Sequence, residues 1–250
     1  MAFCKISRRT KLPLWVAIRN WLENFSPPPS RQSGYSNPMS EDEIKVAQCS
    51  TPYRGYVRID VYKLTHKVFD QGWSAEISRE VLERGHAVAV LPYDADRDKV
   101  VLLEQFRIGG YTAHDFSPWQ IECVAGVVET GHLPEDTAHR EVHEEAGLEI
   151  HELEPIHHYL SSPGCTSESI RLYCGQVDAE GVGGLHGIAH EGEYIRVFTV
   201  TAAEAFAMLD RGEIANGMTI IALQWLKLHH KNLREKWRLA WSVESADNNS

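Results

Sequence analysis

The sequence predicts an α/β protein in which helices flank a mixed sheet. Apolar, strand-like runs and helical segments mix along the chain without strict alternation, which favours this class. Near the middle of the chain, a loop bracketed by glycines leads into a strongly patterned acidic helix. At 250 residues, 43% of them hydrophobic, the chain is long enough for one large domain or for a small domain beside a medium one.

Residues 50–85 contain two extended runs. Apolar residues alternate with polar ones over 57–61, which is the two-residue period of a strand. A turn at Gly72 precedes a second extended run over 75–82. Because a two-stranded hairpin is not stable alone, we expect this small layer to cover its apolar face against another surface.

Short apolar strands and two closing helices account for most of the remaining chain. A hairpin is expected from the β-branched runs 87–91 and 100–106, which the turn at 94–98 joins. The further predicted elements are strands at 153–160, 169–177 and 194–200, and helices at about 201–211 and 217–233.

Three carboxylates share one face of the predicted acidic helix. Glu141, Glu144 and Glu145 lie at positions i, i+3 and i+4, so they repel one another unless a cation lies between them. Hard divalent cations prefer oxygen ligands and neutralise such a cluster. The opposite face carries small apolar residues four positions apart, which can pack on a core: Ala138, Val142 and Ala146.

Taken alone, this acidic string also fits a solvated helix with an ordinary ion pair between Arg140 and Glu144. The flanking residues favour a cation-binding site instead. Gly126 and Gly131 bracket the preceding loop, and Pro134 fits the first helical position. A glycine at position 147 fits the helix C-terminus.

From Gly126 to Leu148 the chain resembles the Nudix box, the signature of hydrolases that cleave a nucleoside diphosphate linked to another group. The glycines and the sequence REVHEEAGL stand at the spacing of that family. One position departs, because His132 stands where the family usually has Glu. This position is not usually counted among the main metal ligands, so the substitution bears on loop stability, metal affinity and rate.

The similarity covers about residues 50–230 and is closest to bacterial Nudix members that act on ADP-ribose. It is carried by further motifs, including LLEQFRIGGY, AGVVETG and SSPGCTSE. Pro163 lies sixteen residues beyond Gly147, a placement associated with ADP-ribose preference. The resemblance implies a Nudix-type α/β/α sandwich with a mixed sheet and a small N-terminal antiparallel β-layer used in dimerisation.

The resemblance also implies a set of metal ligands. These are the backbone carbonyl of Ala125 and the carboxylates of Glu141, Glu145 and Glu193, while Glu144 binds metal directly or through water. Mg²⁺ is the expected ion, with two or more bound and Mn²⁺ as a substitute. We expect Arg140 to orient Glu144 or a loop carbonyl and not to touch substrate.

A general base is expected on the loop that follows the glycine-rich segment 181–187. By resemblance Glu191 is the base that takes a proton from the attacking water, and its neighbour Glu193 is the metal ligand. The alternative is that both are surface acids on a mobile loop.

The implied substrate contacts fall in three segments. Arg79 and Arg107 match phosphate-binding arginines, although either one alone would suit a strand-end surface residue. Tyr56 is expected to stack on adenine, unless it is a core or interface aromatic. The ribose end is expected to lie against three residues of one loop: Ser162, Gly164 and Glu168.

These expectations divide the chain into four parts: an extension and linker at 1–49, a β-layer at 50–85, a hydrolase domain at 86–233 and a tail at 234–250. Residues 1–38 carry six basic residues and one acidic residue, unlike the acidic remainder. A membrane-surface or targeting helix, a partner-binding arm and a non-native extension all fit this composition. We expect an extension without a catalytic role and leave its origin open.

Composition limits the partners. A net charge of −10 without a dense basic block argues against nucleic acid, whose affinity depends on Lys and Arg. No apolar run is long enough to cross a membrane, so no membrane partner is expected. Five cysteines without a CxxC pair favour free thiols in a reducing compartment, the cytoplasm.

The expected reaction is Mg²⁺-dependent hydrolysis of ADP-ribose to AMP and ribose 5-phosphate. Two alternatives stay open: hydrolysis of another nucleoside diphosphate sugar such as GDP-mannose, and a sensor that binds ADP-ribose without cleaving it. Sensors of this kind usually have degenerate boxes, and His132 is one departure from the box. The retained arginine and glutamates of the box argue for catalysis instead.

Overall fold

The computed structural model describes residues 43–187 and 192–247 of the chain, with side chains up to residue 238. The predicted extension at 1–38 and the predicted base Glu191 lie outside these residues. The chain divides into two compact units, with the boundary between Glu80 and Val81. This boundary falls five residues before the predicted one at 85.

The described part of the first unit is a three-stranded sheet in the order β1-β2-β3, whose last strand crosses the boundary after Glu80. Its strands are β1 (Ile44–Arg54), β2 (Arg58–His66) and β3 (Ile77–Glu83). Strands β1 and β2 are antiparallel, and their pairing begins at Ile44 with His66. Strand β1 therefore starts within the segment 1–49 that we predicted as extension and linker, because its pairing to β2 begins six residues before the predicted start of the layer at 50.

The second unit contains an eight-stranded mixed sheet. Its strands are β4 (Ala87–Asp94), β5 (Lys99–Phe106), β6 (Trp119–Glu122), β7 (Val124–Val127), β8 (Glu152–Leu160), β9 (Ser169–Gln176), β10 (Gly184–His186) and β11 (Ile195–Thr201). The order is β10-β11-β5-β4-β9-β8, with β6 paired to β5 and β7 paired to β4. Strands β4 and β9 are parallel, whereas β4 and β5 form the expected antiparallel hairpin.

Four helices accompany this sheet: α1 (Ile108–Thr112), α2 (Pro134–Ala146), α3 (Ala202–Asp210) and α4 (Gly217–Asp247). Alternate side chains of β4 enter two different cores, because successive strand residues point to opposite faces. Leu91 and Tyr93 pack with α3 and α4, whereas Val88 and Val90 pack with α2. The α/β/α sandwich with a mixed sheet and a small separate β-sheet is thus confirmed.

Helix α4 is much longer than its predicted range of 217–233. It continues through the segment that we predicted as a polar tail, because Leu233 and Trp237 are buried in the core beside α3. The sequence analysis also missed β6, β7, β10 and α1, none of which has more than five residues. None of the helices in the described part of the chain is long and apolar enough to cross a membrane.

Candidate active site

Helix α2 has the form that its sequence predicts. Pro134 occupies its first turn with two acidic residues, which suit the positive end of the helix dipole. Gly147 ends the helix with φ 68° and donates its N–H to His143, which is the left-handed cap that glycine favours. The predicted apolar face is buried in the second core: Ala138, Val142 and Ala146.

Arg140 lies between two glutamates of the acidic face. Its Nη2 is 2.7 Å from Glu141 Oε1 and its Nη1 is 2.8 Å from Glu144 Oε2. The alternative of a simple Arg140–Glu144 surface pair is therefore incomplete, because the same guanidinium also holds the less exposed Glu141. The guanidinium of Arg140 thus orients the carboxylates of both Glu141 and Glu144.

Glu145 is the most buried carboxylate of the helix, with 8% of its surface exposed. Its Oε2 accepts a hydrogen bond of 3.3 Å from the backbone N–H of Ala125, so it lies against β7. Burial, followed by the negative charge of Glu141, raises the pKa of Glu145 to about 8. The side chain is therefore held as a neutral acid near pH 7 unless a cation joins it.

Glu141 is packed against the backbone of Gly126. A Cβ atom at position 126 would lie 2.0 Å from Glu141 Oε1 and 2.5 Å from its Cγ, so only glycine leaves room for this carboxylate. Burial raises the pKa of Glu141 to about 6, with Arg140 opposing the rise and Glu144 adding to it. The glycine of the predicted loop thus has a steric role beside the acidic face.

Glu193 belongs electrostatically to the same cluster. Its negative charge contributes to the raised pKa values of Glu141 and Glu145 and to the raised pKa of Arg107. Within residues 43–187 and 192–247, no three His, Cys, Asp or Glu side chains are gathered closely enough to hold a metal ion. The predicted base Glu191 is not among these residues, so its place relative to the cluster is not described.

Arg107 lies beside a buried acid, Glu122, which was not among the predicted site residues. Its Nη2 and Nε are 2.7 and 3.0 Å from the same oxygen, Oε2 of Glu122. Glu122 is only 2% exposed and stands at the end of β6, immediately before the segment that supplies Ala125 and Gly126. A glutamate after the apolar residue Ile121 was a possible signal, but nothing local showed that it would be buried.

The predicted ribose loop lies between β8 and β9. Ser162 accepts backbone hydrogen bonds of 3.0 Å from Cys165 and Thr166, which form a tight turn. Space around Gly164 is open, since nothing lies within 4 Å of a Cβ built there. Glu168 makes an ion pair of 3.2 Å with Arg84, so its carboxylate already has a partner within the protein.

Three other predicted positions are exposed. Tyr56 is 69% exposed in the turn between β1 and β2. Arg79 lies on β3, and its Nη1 donates to the carbonyl of the preceding Ser78 at 2.8 Å. Both belong to the first unit, and their roles toward substrate stay predictions. His132 is exposed before α2, where its N–H donates to the carbonyl of Glu129 at 3.1 Å.

An acidic helix packed on a mixed sheet, with its carboxylates against a glycine-containing strand, defines a Nudix site. Residues 83–238 match the NUDIX domain family, and this chain belongs to that family. A solved structure described as an ADP compounds hydrolase has the same fold, with a TM-score of 0.60 and 17% identity. It covers 76% of this chain and 96% of its own.

Curated relatives extend the comparison in sequence. The ADP-ribose pyrophosphatase of Escherichia coli K12 is 43% identical over 197 residues, covering 79% of this chain and 94% of the relative. That of Haemophilus influenzae is 39% identical, covering 80% and 93%. A GDP-mannose pyrophosphatase of Yersinia pestis is more distant, at 29% identity over 75% of this chain and 93% of the relative.

Proposed function

We propose that this protein hydrolyses the diphosphate bond of ADP-ribose, with water as co-substrate, to AMP and ribose 5-phosphate. The observation that supports the proposal best is the acidic pair of half-buried Glu141 and buried Glu145, packed against the backbone of β7 on a Nudix helix. The relatives with 39–43% identity bear the name ADP-ribose pyrophosphatase, which supports the choice of substrate.

A divalent cation fits the chemistry of the residues that are present, although in the described part of the chain their side chains are not gathered around one point. Burial and the charges of neighbouring carboxylates raise the pKa values of both Glu141 and Glu145. A bound divalent cation would offset both effects and favour the ionised carboxylates. These are hard oxygen donors of the kind that Mg²⁺ prefers, and Mn²⁺ is expected to substitute. We propose Glu141, Glu145, Glu193 and the Ala125 carbonyl as ligands of two or more ions, with Glu144 bound directly or through water. Such ions neutralise phosphate charge and lower the pKa of a bound water.

The protein residues supply the remaining functions. Arg107 offers a guanidinium next to the acidic cluster, where it suits contact with phosphate oxygens. Arg140 holds Glu141 and Glu144 in place through its two hydrogen bonds. We propose Glu191 as the base that accepts a proton from the attacking water. Tyr56, Arg79 and the 162–168 loop are proposed for the nucleoside and ribose ends of the substrate.

Two rival functions are separable from this one. Hydrolysis of GDP-mannose is supported by the Yersinia relative, but at a lower identity of 29%. A non-catalytic sensor is disfavoured because Arg140 and the three glutamates of the box are all retained, with Arg140 in contact with Glu141 and Glu144. His132 is exposed in the loop before α2, which is consistent with retained catalysis.

We further propose a homodimer formed through residues 50–85 and the rest of their sheet. Strand β1 lies at the edge of that sheet, and all of its residues are exposed, including Ile44, Val46 and Tyr53. An edge of this kind pairs readily with a second chain.

The described cysteines are all free thiols, which supports a reducing compartment, the cytoplasm.

Chromatographic product analysis tests the proposed activity. The protein is incubated with ADP-ribose, GDP-mannose and other nucleoside diphosphate sugars, with and without Mg²⁺. The expected result is preferential formation of AMP and ribose 5-phosphate from ADP-ribose, only with the ion present. Faster turnover of GDP-mannose would support the rival hydrolase, and tight ADP-ribose binding without AMP would support the sensor.

A further inference from the structure

Glu122 is a fully buried carboxylate surrounded by donors. Its Oε2 accepts hydrogen bonds from Arg107 Nε and Nη2 and from Gln105 Nε2, the last at 3.2 Å. Its Oε1 accepts from Asn216 Nδ2 at 3.0 Å. Removing an ionised carboxylate from water is costly unless charge and hydrogen bonds compensate it. These four donors satisfy Glu122 as an anion, with Arg107 as its counter-charge.

The carboxylate is fixed from two sides of the fold. Glu122 itself pairs with Leu103 across the β5–β6 ladder. Asn216 precedes α4, and its Oδ1 accepts from the backbone N–H of Thr219, as a helix cap does. Thr219 Oγ1 in turn accepts from the N–H of Cys123, the residue after Glu122. The sheet and the start of α4 thus hold Glu122 in one place.

Arg107 is in a different situation, because it reaches from a strand end toward the acidic face. Its side chain is 44% exposed, although Glu122 below it is 2% exposed. Among the residues that the structure describes, Glu122 alone hydrogen-bonds this guanidinium. Both bonds use Nε and Nη2, which leaves Nη1 available to another acceptor. Arg107 also lines a surface cavity of about 340 Å³, together with Glu122 and Asn216.

We propose that Glu122 is a positioning residue that holds Arg107 in the orientation in which it contacts the substrate diphosphate. A long arginine side chain has many rotamers, and fixing two of its N–H groups on a rigid acceptor removes that freedom before substrate arrives. The inference deepens the proposed function and rests on it.

A double-mutant cycle on kcat/KM tests this role with R107A, E122Q and R107A/E122Q. Glutamine has the shape of glutamate but only one acceptor oxygen, so it cannot serve both Arg107 and Asn216. R107A is expected to lower kcat/KM roughly 100-fold, and E122Q about 10-fold, mainly through KM. In the R107A background, E122Q should have no further effect, because Glu122 acts only through Arg107. Equal losses in both backgrounds would overturn the proposal.

The matched control is E104Q. Glu104 lies on β5 and makes an exposed ion pair of 2.7 Å with Arg196, the same chemistry away from the acidic cluster. Its substitution should leave kcat/KM unchanged. If E122Q fails to fold, N216A is the second variant, because it removes the donor to Oε1 and leaves Arg107 and Glu122 intact. Its loss should likewise vanish in the R107A background, and persistence of that loss would contradict the proposal.

A readout without turnover keeps the two proposals distinguishable. The cycle uses whichever nucleoside diphosphate sugar the wild-type protein hydrolyses fastest, so a wrong substrate would contradict the proposed function alone. Independently, ¹⁵N NMR of the Arg107 Nε–H, assigned with R107K, reports its exchange with water. This exchange should be slow in the wild-type protein and fast in E122Q. Fast exchange in both proteins would contradict the positioning role even in an inactive enzyme.

Discussion

Glu145 is a buried acid that we propose as a metal ligand, and its burial has a measurable consequence. In the absence of a cation its pKa of about 8 leaves the carboxyl protonated at pH 7, whereas the unfolded chain ionises it near 4.5. The folded protein therefore binds more protons than the unfolded chain in this window. Metal-free stability is fully present below pH 4.5 and declines as pH rises through about 8. A bound cation is expected to remove that decline.

Metal binding at pH 7 should consequently release about one proton per protein, because a ligating carboxylate must be ionised. Isothermal titration with Mg²⁺ or Mn²⁺ in buffers of different ionisation enthalpy measures this number. In E145Q the released protons should fall toward zero, and turnover should be nearly abolished while circular dichroism shows an intact fold. Full activity or unchanged proton release in E145Q would contradict the assignment of Glu145 as a ligand.

Gly126 provides a second prediction at the scale of one residue. In G126A the added Cβ overlaps Glu141, which must leave its place beside β7. The backbone at this glycine does not have a positive φ, so little strain in the strand itself is expected. We expect a small change in Tm but a loss of metal affinity and kcat/KM of roughly 10- to 100-fold. A G126A protein that keeps full metal affinity and activity would show that Glu141 does not need this space.

At the scale of elements, helix α2 was predicted almost to the residue, whereas α4 was not. The signals for α2 are local: a proline, a four-residue apolar spacing and a terminal glycine. The end of α4 depends on where Trp237 packs, and its ring lies 6.1 Å from that of Tyr93 on β4. Tyr93 and Trp237 are far apart in sequence, so no local pattern predicted that the polar segment after residue 233 would stay helical.

Trp237 is therefore expected to stabilise the whole second unit. It is 1% exposed, and in W237A the lost burial and the resulting cavity should lower the free energy of unfolding by about 3 kcal/mol. This corresponds to a fall in Tm of roughly 6–12 °C in thermal denaturation. W237F is the control with a smaller expected loss, because Nε1 has no hydrogen-bond partner within the described chain. A Tm unchanged in W237A would place this helix end outside the core.

At the scale of the whole molecule, the exposed sheet of the first unit predicts oligomerisation. Light scattering after gel filtration should give twice the chain mass of 28.3 kDa. Substituting Lys at Ile44 and Val46 puts charges on the edge strand and should shift the protein toward monomer. L228K is the matched control, since Leu228 is 83% exposed on α4 and outside this sheet. A monomeric wild-type protein would contradict the proposed dimer.

The fold class, the acidic helix and the family follow from the sequence alone, because their signals are periodicities and spacings within a few turns of chain. Strand ranges such as 153–160 and 169–177 were also close to those observed, at 152–160 and 169–176. Short elements were not predicted, because β6 and β7 have four residues each, too few to show a periodic pattern. The start of β1 was missed because its partner residues on β2 decide where it begins.

Only the tertiary structure decided which charges are buried and what they touch. Glu122 meets Arg107 across 15 residues of sequence and Asn216 across 94, and Ala125 meets Glu145 across 20. A carboxylate in the sequence carries the same formal charge wherever it lies, whereas its pKa and its partners depend on the desolvation that folding imposes. For this reason the residue types of the site were evident from the chain, and its electrostatics were not.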